Sequence, residues 1–346
     1  MKALRWYGRK DLRYEEVSEP SPGPGEVKIK VNLAGICGTD LKEYSSGPCI
    51  INGDDAPVTI GHEFAGVVVE TGKGATAFSP GDRVSGVGYW VCGECYYCKR
   101  HMYNVCSNLL FTGLHKNGCM AEYLVSPEYA LYKLPDSVSD EAGSIVEPIA
   151  VAVHAVKIGK VALGDKVAIV GDGIIGLCTL LAVKAAGASE IHLVAKHKGR
   201  GERTLSMGVS TVTYLNDGDT IQKVKELSGG LGVDVAFECV GHPDTPQMTL
   251  DLIRNGGTAV IEGVFDKRGE VDFLSVMYNQ KTMIGSPIYV DEASTAISLL
   301  ADKTIDADTL ITSVVPLADA VEEGFEKLLT NKEDNIKVLL KVAPDR

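Results

Sequence analysis

The run KVAIVGDGIIGLCTLLAVKAA, Lys166–Ala186, constrains the fold of this chain more than any other stretch. An apolar strand-like run, KVAIV, ends on a glycine. Three glycines then fall at G-x-G-x-x-G spacing (Gly171, Gly173, Gly176), and an apolar stretch of helical length follows. A glycine-rich hexapeptide alone is a weak signal; a strand before it and a helix after it make it a strong one. In that setting Gly171 allows the tight turn, Gly173 lets a pyrophosphate approach the backbone, and Gly176 lets helix and strand pack closely. The pyrophosphate then rests on the helix N-terminus. Further strand-like runs, IHLVA, VDVAFEC and TAVIEG, alternate with helical stretches. That alternation predicts a doubly wound parallel sheet covered on both faces, a Rossmann-type α/β domain.

The rest of the chain reads differently. With 346 residues, two domains are expected. The first 150 residues are β-rich, with short Val/Ile runs broken by Gly and Pro. From about residue 290 come two helix-like pieces, EASTAISLLADK and LADAVEEGFEKLLTN, and a last strand, IKVLLKV. The expected division is a split β-rich domain, 1–152 and 290–346, holding the doubly wound domain, 153–289, as an insert.

Charge narrows the partners. A net charge of −12 disfavours nucleic acid and anionic membrane surfaces. No run of eighteen apolar residues is present, and MKALRWYGRKDLRYEE lacks the apolar stretch of a signal peptide, so a cytoplasmic location is expected. In a reducing compartment the nine cysteines point to metal rather than to disulfides.

Four of them, Cys92, Cys95, Cys98 and Cys106, lie in CGECYYCKRHMYNVC. Four thiolates so closely spaced can converge on one tetrahedral ion, and a closed four-sulfur site is structural zinc. A second group has an open character. Cys37 lies in GICGTDL, His62 and Glu63 in IGHEFAG, and Glu147 in IVEPIAV. One thiolate, one imidazole and one or two carboxylates leave a coordination position for water or substrate. Singly, each residue is bland, since a buried Cys usually packs and a Glu is usually solvated.

In company these residues resemble a known family. GHEFAGVVVETG, Gly61–Gly72, matches G-H-E-x-x-G-x5-G in full. CGTD before it, and PGDRV, the four-cysteine lobe and VEP after it, appear in the expected order. The chain is identified from end to end as similar to the zinc-dependent medium-chain alcohol dehydrogenases, whose β-rich domain is GroES-like. SGPCIINGDDAPVTIGHEF and VEPIAVAVHAV look most like the butanediol and sorbitol dehydrogenases. The resemblance implies two zinc ions per chain. The catalytic one would be held by Cys37 and His62, with Glu63 or Glu147 as third ligand. Many alcohol dehydrogenases use two Cys and one His; here Glu147 stands where they carry the second Cys, as in the polyol enzymes. Asp40 would accept a hydrogen bond from the second nitrogen of His62, and Thr39 would contact the substrate hydroxyl and pass its proton outward. Relatives often carry His three residues after this Thr. Lys42 stands there instead, so the relay would run through Lys42 or through water. Tyr44, Trp90, Leu114 and His115 are candidate pocket residues by the same analogy.

For the cofactor, Gly171, Gly173, Ile174, Ile175, Gly176 and Val240 form the expected binding set. Enzymes that prefer NAD(H) place an acid at the end of the second strand for the ribose 2′-OH. That position is Ala195, followed by Lys196, His197, Lys198, Arg200 and Arg203. With no acid and a basic run, of which Lys196, Arg200 and Arg203 are the candidate phosphate ligands, NADP(H) is expected over NAD(H). The expected activity is hydride transfer between a secondary alcohol and this cofactor. A small vicinal diol or hydroxyketone such as 2,3-butanediol/acetoin is the first expectation for substrate. A sugar alcohol or threonine, or an inactive dinucleotide-binding sensor, is the alternative. A homodimer or homotetramer is expected.

Overall fold

The computed structural model describes residues 1–342, which form two compact units: residues 1–147 together with those from Ala293 onward, and Pro148–Glu292. Strand β1 (Glu26–Gly35) leads into helix α1 (Gly38–Ser46), and β2 (Glu63–Thr71), β3 (Arg83–Gly86), β4 (Tyr123–Pro127) and β5 (Leu131–Lys133) follow. Helix α2 (Val146–Gly159) carries the chain into the second unit. There come β6 (Lys166–Val170), α3 (Ile174–Ala185), β7 (Glu190–Ala195), α4 (Lys198–Thr204), β8 (Thr211–Tyr214), β9 (Val233–Glu238), β10 (Ile253–Ile261), α5 (Phe273–Tyr278) and β11 (Thr282–Gly285). Back in the first unit, β12 (Ile311–Pro316) and β13 (Lys337–Lys341) close the described chain.

The main sheet of the first unit runs β5-β3-β2-β1-β13-β12, with β4 also on β1. β1 pairs along its whole length with β2. On its other side its first half takes β4 and its last residues take β13, all antiparallel. This shared strand needs apolar residues on both faces, and EVKIKVNLAG supplies Val27, Ile29, Val31 and Ala34 at 0% exposure. They join Phe64, Val68, Val84, Leu124, Phe325 and Leu340 in one apolar cluster. The segment LADAVEEGFEKLLTN, expected as one helix, is a 3-10 turn at Leu317–Asp319, a π-helical stretch at Ala320–Glu326 and a short α-helix at Lys327–Thr330.

The second unit holds a six-stranded parallel sheet in the order β8-β7-β6-β9-β10-β11. This is the 3-2-1-4-5-6 order of the Rossmann fold, reversing direction next to β6. The runs KVAIV and VDVAFE are nearly continuous in burial because both faces of the sheet are covered. Ala168, Val170, Val194, Ala236, Leu250 and Ala259 pack at its centre.

Candidate functional site

The first site is built where β1 ends. Cys37 caps the N-terminus of α1, its backbone N–H donating to Asp40 Oδ2 at 2.9 Å. His62 and Glu63 enter from the start of β2, which pairs Glu63 with Gly35 across β1. The ligand atoms of Cys37, His62 and Glu63 come within 4.8 Å of one another. Three buried polar atoms here have no hydrogen-bond partner: Asp40 Oδ1, His62 Nδ1 and Glu63 Oε1. Buried groups left in this state are costly unless something else satisfies them. The donor set, one sulfur, one imidazole and a carboxylate, suits zinc. His62 Nδ1 lies 3.9 Å from Asp40 Oδ1, an electrostatic contact longer than the hydrogen bond expected from the sequence.

Glu147 stands outside that three-residue group but is only 6% exposed and feels its charges. Burial, with Glu63 and Asp40 adding to it, pushes its carboxyl up to about 7 against the opposing pull of His62 and Lys337. For His62, burial works against the cation, and Cys37, Asp40 and Glu147 outweigh it, so the imidazole is raised well above its ordinary value.

Lys337, on β13, has no counterpart among the residues that the sequence singled out. It is 0% exposed, and its ammonium donates to Glu63 Oε2 and to the Ile36 carbonyl, the latter at 2.9 Å. The two side chains meet over the end of β1. A Cβ on Gly35 would lie 2.2 Å from Glu63 Oε2, so the bridge requires glycine there. The only sequence signal for it is an isolated Lys inside an apolar last strand.

Thr39 and Lys42 lie on α1, both partly exposed. Tyr44, also on α1, is buried. It is 4% exposed, its ring packs edge-on against Phe325, and its hydroxyl donates to Glu326 at 2.6 Å. Leu114 is 3% exposed. Trp90 Nε1 donates to Thr112 Oγ1 at 3.0 Å, and His115 Nδ1 accepts the Phe111 N–H at 3.1 Å.

The second cluster in the same unit is the four-cysteine lobe. Sγ of Cys92, Cys95, Cys98 and Cys106 lie within 4.8 Å of one another, and none is in a disulfide. Backbone N–H groups are aimed at the sulfurs: those of Cys92 and Asn108 at Cys106, each 3.4 Å, and that of Cys98 at Cys95, 3.5 Å. These donors favour thiolate, and the Cys98 and Ser107 amides hold Cys95 down to about 5. Four converging cysteine sulfurs with donated N–H groups fit a closed zinc site, which they would ligate as thiolates.

In the second unit, Gly171 opens the glycine loop with φ of 122°, and Gly173 caps α3 without a side-chain partner. A Cβ on Gly176 would lie 2.1 Å from the Gly171 carbonyl, which is the close helix–strand approach expected of the third glycine. Ile174 and Ile175 form the partly exposed first turn of α3. Val240 is 50% exposed and packs over Gly171. Glu238 fixes the turn that carries it, its Oε1 accepting from the Val240 and Gly241 N–H groups at 2.9 and 2.8 Å.

Ala195 is the last residue of β7 and is fully buried. After it Lys196 is exposed and Arg203 partly so. Arg200 is 8% exposed, with Nη1 directed at the Asp172 carbonyl at 3.5 Å. That contact sets its guanidinium beside the glycine loop. Asp172, which no sequence signal singled out, has its carboxylate among the residues that follow Ala195.

Similarity to known proteins agrees with this construction. Residues 23–136 match the family described as "Alcohol dehydrogenase GroES-like domain", and residues 175–302 the family described as "Zinc-binding dehydrogenase". The chain is 38% identical to (R,R)-butanediol dehydrogenase of Bacillus subtilis (strain 168), over 99% of both chains. It is 33% identical to sorbitol dehydrogenase of Halalkalibacterium halodurans, over 98% of this chain and 99% of the relative. Among solved structures, a putative zinc-binding dehydrogenase from Sinorhizobium meliloti 1021 bound to NADP superposes with a TM-score of 0.88 at 30% identity, covering 98% of each chain.

Proposed function

Since the chain belongs to the zinc-dependent medium-chain alcohol dehydrogenase family and is a polyol-type oxidoreductase, we propose that its substrate is a small vicinal diol or hydroxyketone, 2,3-butanediol/acetoin first, and its cofactor NADP(H) in preference to NAD(H). A sugar alcohol is the second choice of substrate. The reaction converts a secondary alcohol and the oxidised nicotinamide into the ketone, the reduced nicotinamide and a proton.

The observation that carries the reading is the convergence of Cys37, His62 and Glu63 with their unpartnered buried atoms. Cys37 Sγ, His62 Nε2 and a carboxylate from Glu63 or Glu147 would hold catalytic zinc, and Cys92, Cys95, Cys98 and Cys106 a structural one. Bound there, zinc is a Lewis acid that lowers the pKa of the alcohol and favours hydride departure from its carbon. Asp40 biases the tautomer and orientation of His62 from the Nδ1 side. Thr39, two residues past Cys37 on α1, offers a hydroxyl that can accept the alcohol proton and donate onward. A lysine ammonium offers only donors, so the proton passes from Thr39 to water rather than to Lys42.

The preference for NADP(H) is supported by the absence of an acid at Ala195 and by Lys196 and Arg203 beyond it. A homodimer or homotetramer is supported by β11, an edge strand of its sheet, beside α5, whose Phe273, Leu274, Met277 and Tyr278 are 74%, 65%, 63% and 79% exposed. The chain has no helix, among the described residues, long and apolar enough to cross a membrane. We place it in the cytoplasm, acting on small molecules and not on nucleic acid.

Initial rates with the 2,3-butanediol stereoisomers, acetoin, sorbitol and threonine, each with both cofactors, test the substrate. The expected result is highest kcat/KM for a butanediol isomer. Activity confined to primary alcohols or to threonine overturns the reading. Cys37→Ser is expected to abolish turnover with the fold retained by circular dichroism, and full turnover in that variant removes Cys37 from the catalytic site.

A further inference from the structure

At the end of β7, where a strand-end acid is missing, the structure places a carboxylate from another segment. Asp172, between the first two glycines of the loop, is 5% exposed. Its Oδ2 accepts the backbone N–H groups of Lys196 and His197 at 3.0 and 2.6 Å. His197 Nδ1 lies 3.1 Å from both carboxylate oxygens. Arg200 Nη1 is directed at the carbonyl of the same residue at 3.5 Å.

Two backbone donors on one oxygen hold the charge of Asp172 in place. The other oxygen faces the imidazole, and a carboxylate oxygen can accept two hydrogen bonds. In a Rossmann unit the gap between the glycine loop and the end of the second strand is where the adenosine ribose sits, and a carboxylate there accepts its hydroxyls. Asp172 reaches that gap from the glycine loop, whereas the usual acid reaches it from the strand end.

We infer that Asp172 is a specificity-determining residue for the cofactor: it accepts the ribose hydroxyl of NAD(H) and opposes the 2′-phosphate of NADP(H), in competition with Lys196 and Arg203. The inference rests on the nicotinamide-cofactor reading above. It makes the preference for NADP(H) smaller than the basic run alone would set. The carboxylate carries one negative charge and the 2′-phosphate nearly two, so removing the first relieves a repulsion that NADH never meets.

The test is binding of NADPH and of NADH to the zinc-loaded protein, each followed by nicotinamide fluorescence. Asp172→Asn keeps the volume and removes the charge. It is expected to raise the ratio of NADPH to NADH affinity at least tenfold, through both tighter NADPH and weaker NADH. Asp172→Glu is expected to hold the ratio near that of the parent. A ratio that falls or stays constant in Asp172→Asn, with both cofactors weakened together, overturns the inference and leaves Asp172 as a clamp on residues 196 and 197. The unaltered protein supplies a second measurement that needs no variant: NAD+ lacking the ribose 2′-OH is expected to bind at least fivefold more weakly than NAD+, and equal binding overturns the inference. The cofactor reading fails separately, if the unaltered protein prefers NADH; the direction of the Asp172→Asn shift is then still to be read.

Discussion

Lys337 and Glu63, 274 residues apart in sequence, form an ion pair in which the two side chains are 0% and 1% exposed. The pair ties the last described strand to the carboxylate most closely associated with the imidazole and thiol of the candidate metal site. A buried pair of this kind adds little net stability against an apolar replacement, but breaking it from one side leaves a bare charge in the interior.

Lys337→Met is therefore expected to destabilise the protein by about 3–5 kcal/mol. Adding Glu63→Gln to it is expected to cost clearly less than the sum of the two single changes. Denaturant unfolding of the four proteins gives the coupling energy. Additive losses would mean that the pair does not act as a unit. Zinc content measured alongside is expected to fall in Lys337→Met, because the freed carboxylate is no longer held in place.

The cysteine lobe supports a prediction separable from activity. Its four sulfurs converge without a disulfide, and a structural zinc contributes its binding free energy to folding. Cys95→Ser is expected to lower metal content by about one zinc ion per chain and to lower the melting temperature. Treatment with a chelator should depress the melting temperature of the parent more than that of the variant. An unchanged metal content in Cys95→Ser would exclude the lobe as a zinc site.

Two glycines of the phosphate loop should separate folding from ligand binding. A Cβ on Gly176 would lie 2.1 Å from the Gly171 carbonyl, backbone that has little room to move, whereas a Cβ on Gly173 meets nothing within 4 Å, and Gly173 has φ of −83°. Gly176→Ala is expected to cost about 1–3 kcal/mol of stability and to weaken dinucleotide binding. Gly173→Ala is expected to leave the unfolding midpoint within experimental scatter and to weaken the dinucleotide at least tenfold, because its open face is where the pyrophosphate approaches. If Gly173→Ala bound both cofactors normally, the pyrophosphate would have to lie elsewhere.

Much of this arrangement was legible in the sequence because it is local. The glycine loop announces itself through the strand before it and the helix after it, and four sulfurs within fifteen residues can hardly avoid one another. Cys37 and His62 were legible only as a set, since the pairing of β1 with β2 is what brings them together. What the sequence hid depends on tertiary register or side-chain direction. Lys337 meets Glu63 because β13 pairs with the end of β1, a contact that no local pattern encodes. Asp172 reads as an unremarkable residue within a glycine hexapeptide until its carboxylate is seen under the 196–197 amides. The packing of Arg200 beside the Asp172 carbonyl and of Tyr44 against Phe325 and Glu326 is likewise set by tertiary contacts that charge and analogy do not reveal. Strand β12, ITSVVP, escaped because it carries neither a clean apolar/polar alternation nor a continuous apolar run.

A last prediction concerns Glu262, just past β10. Burial is the main cause that pushes its carboxyl up to about 8, and the charge of Glu238 adds to it; the Cys239 thiol, 3.3 Å from Oε1, and the Thr179 hydroxyl, 3.2 Å from both oxygens, pull the other way. An unfolded glutamate releases its proton near 4.5. Between that value and about 8 the folded protein holds a proton that the unfolded chain has lost. Stability contributed by this group is thus fully present below about pH 4.5 and is lost progressively as pH rises to about 8. Glu262→Gln keeps the shape and both hydrogen bonds and cannot ionise. Its unfolding free energy is expected to match that of the parent near pH 5 and to exceed it by about 1–3 kcal/mol at pH 8.5. Urea unfolding of parent and variant at both pH values measures this. A difference that is constant with pH, or one that favours the parent at pH 8.5, would show that Glu262 is not held protonated in the folded state.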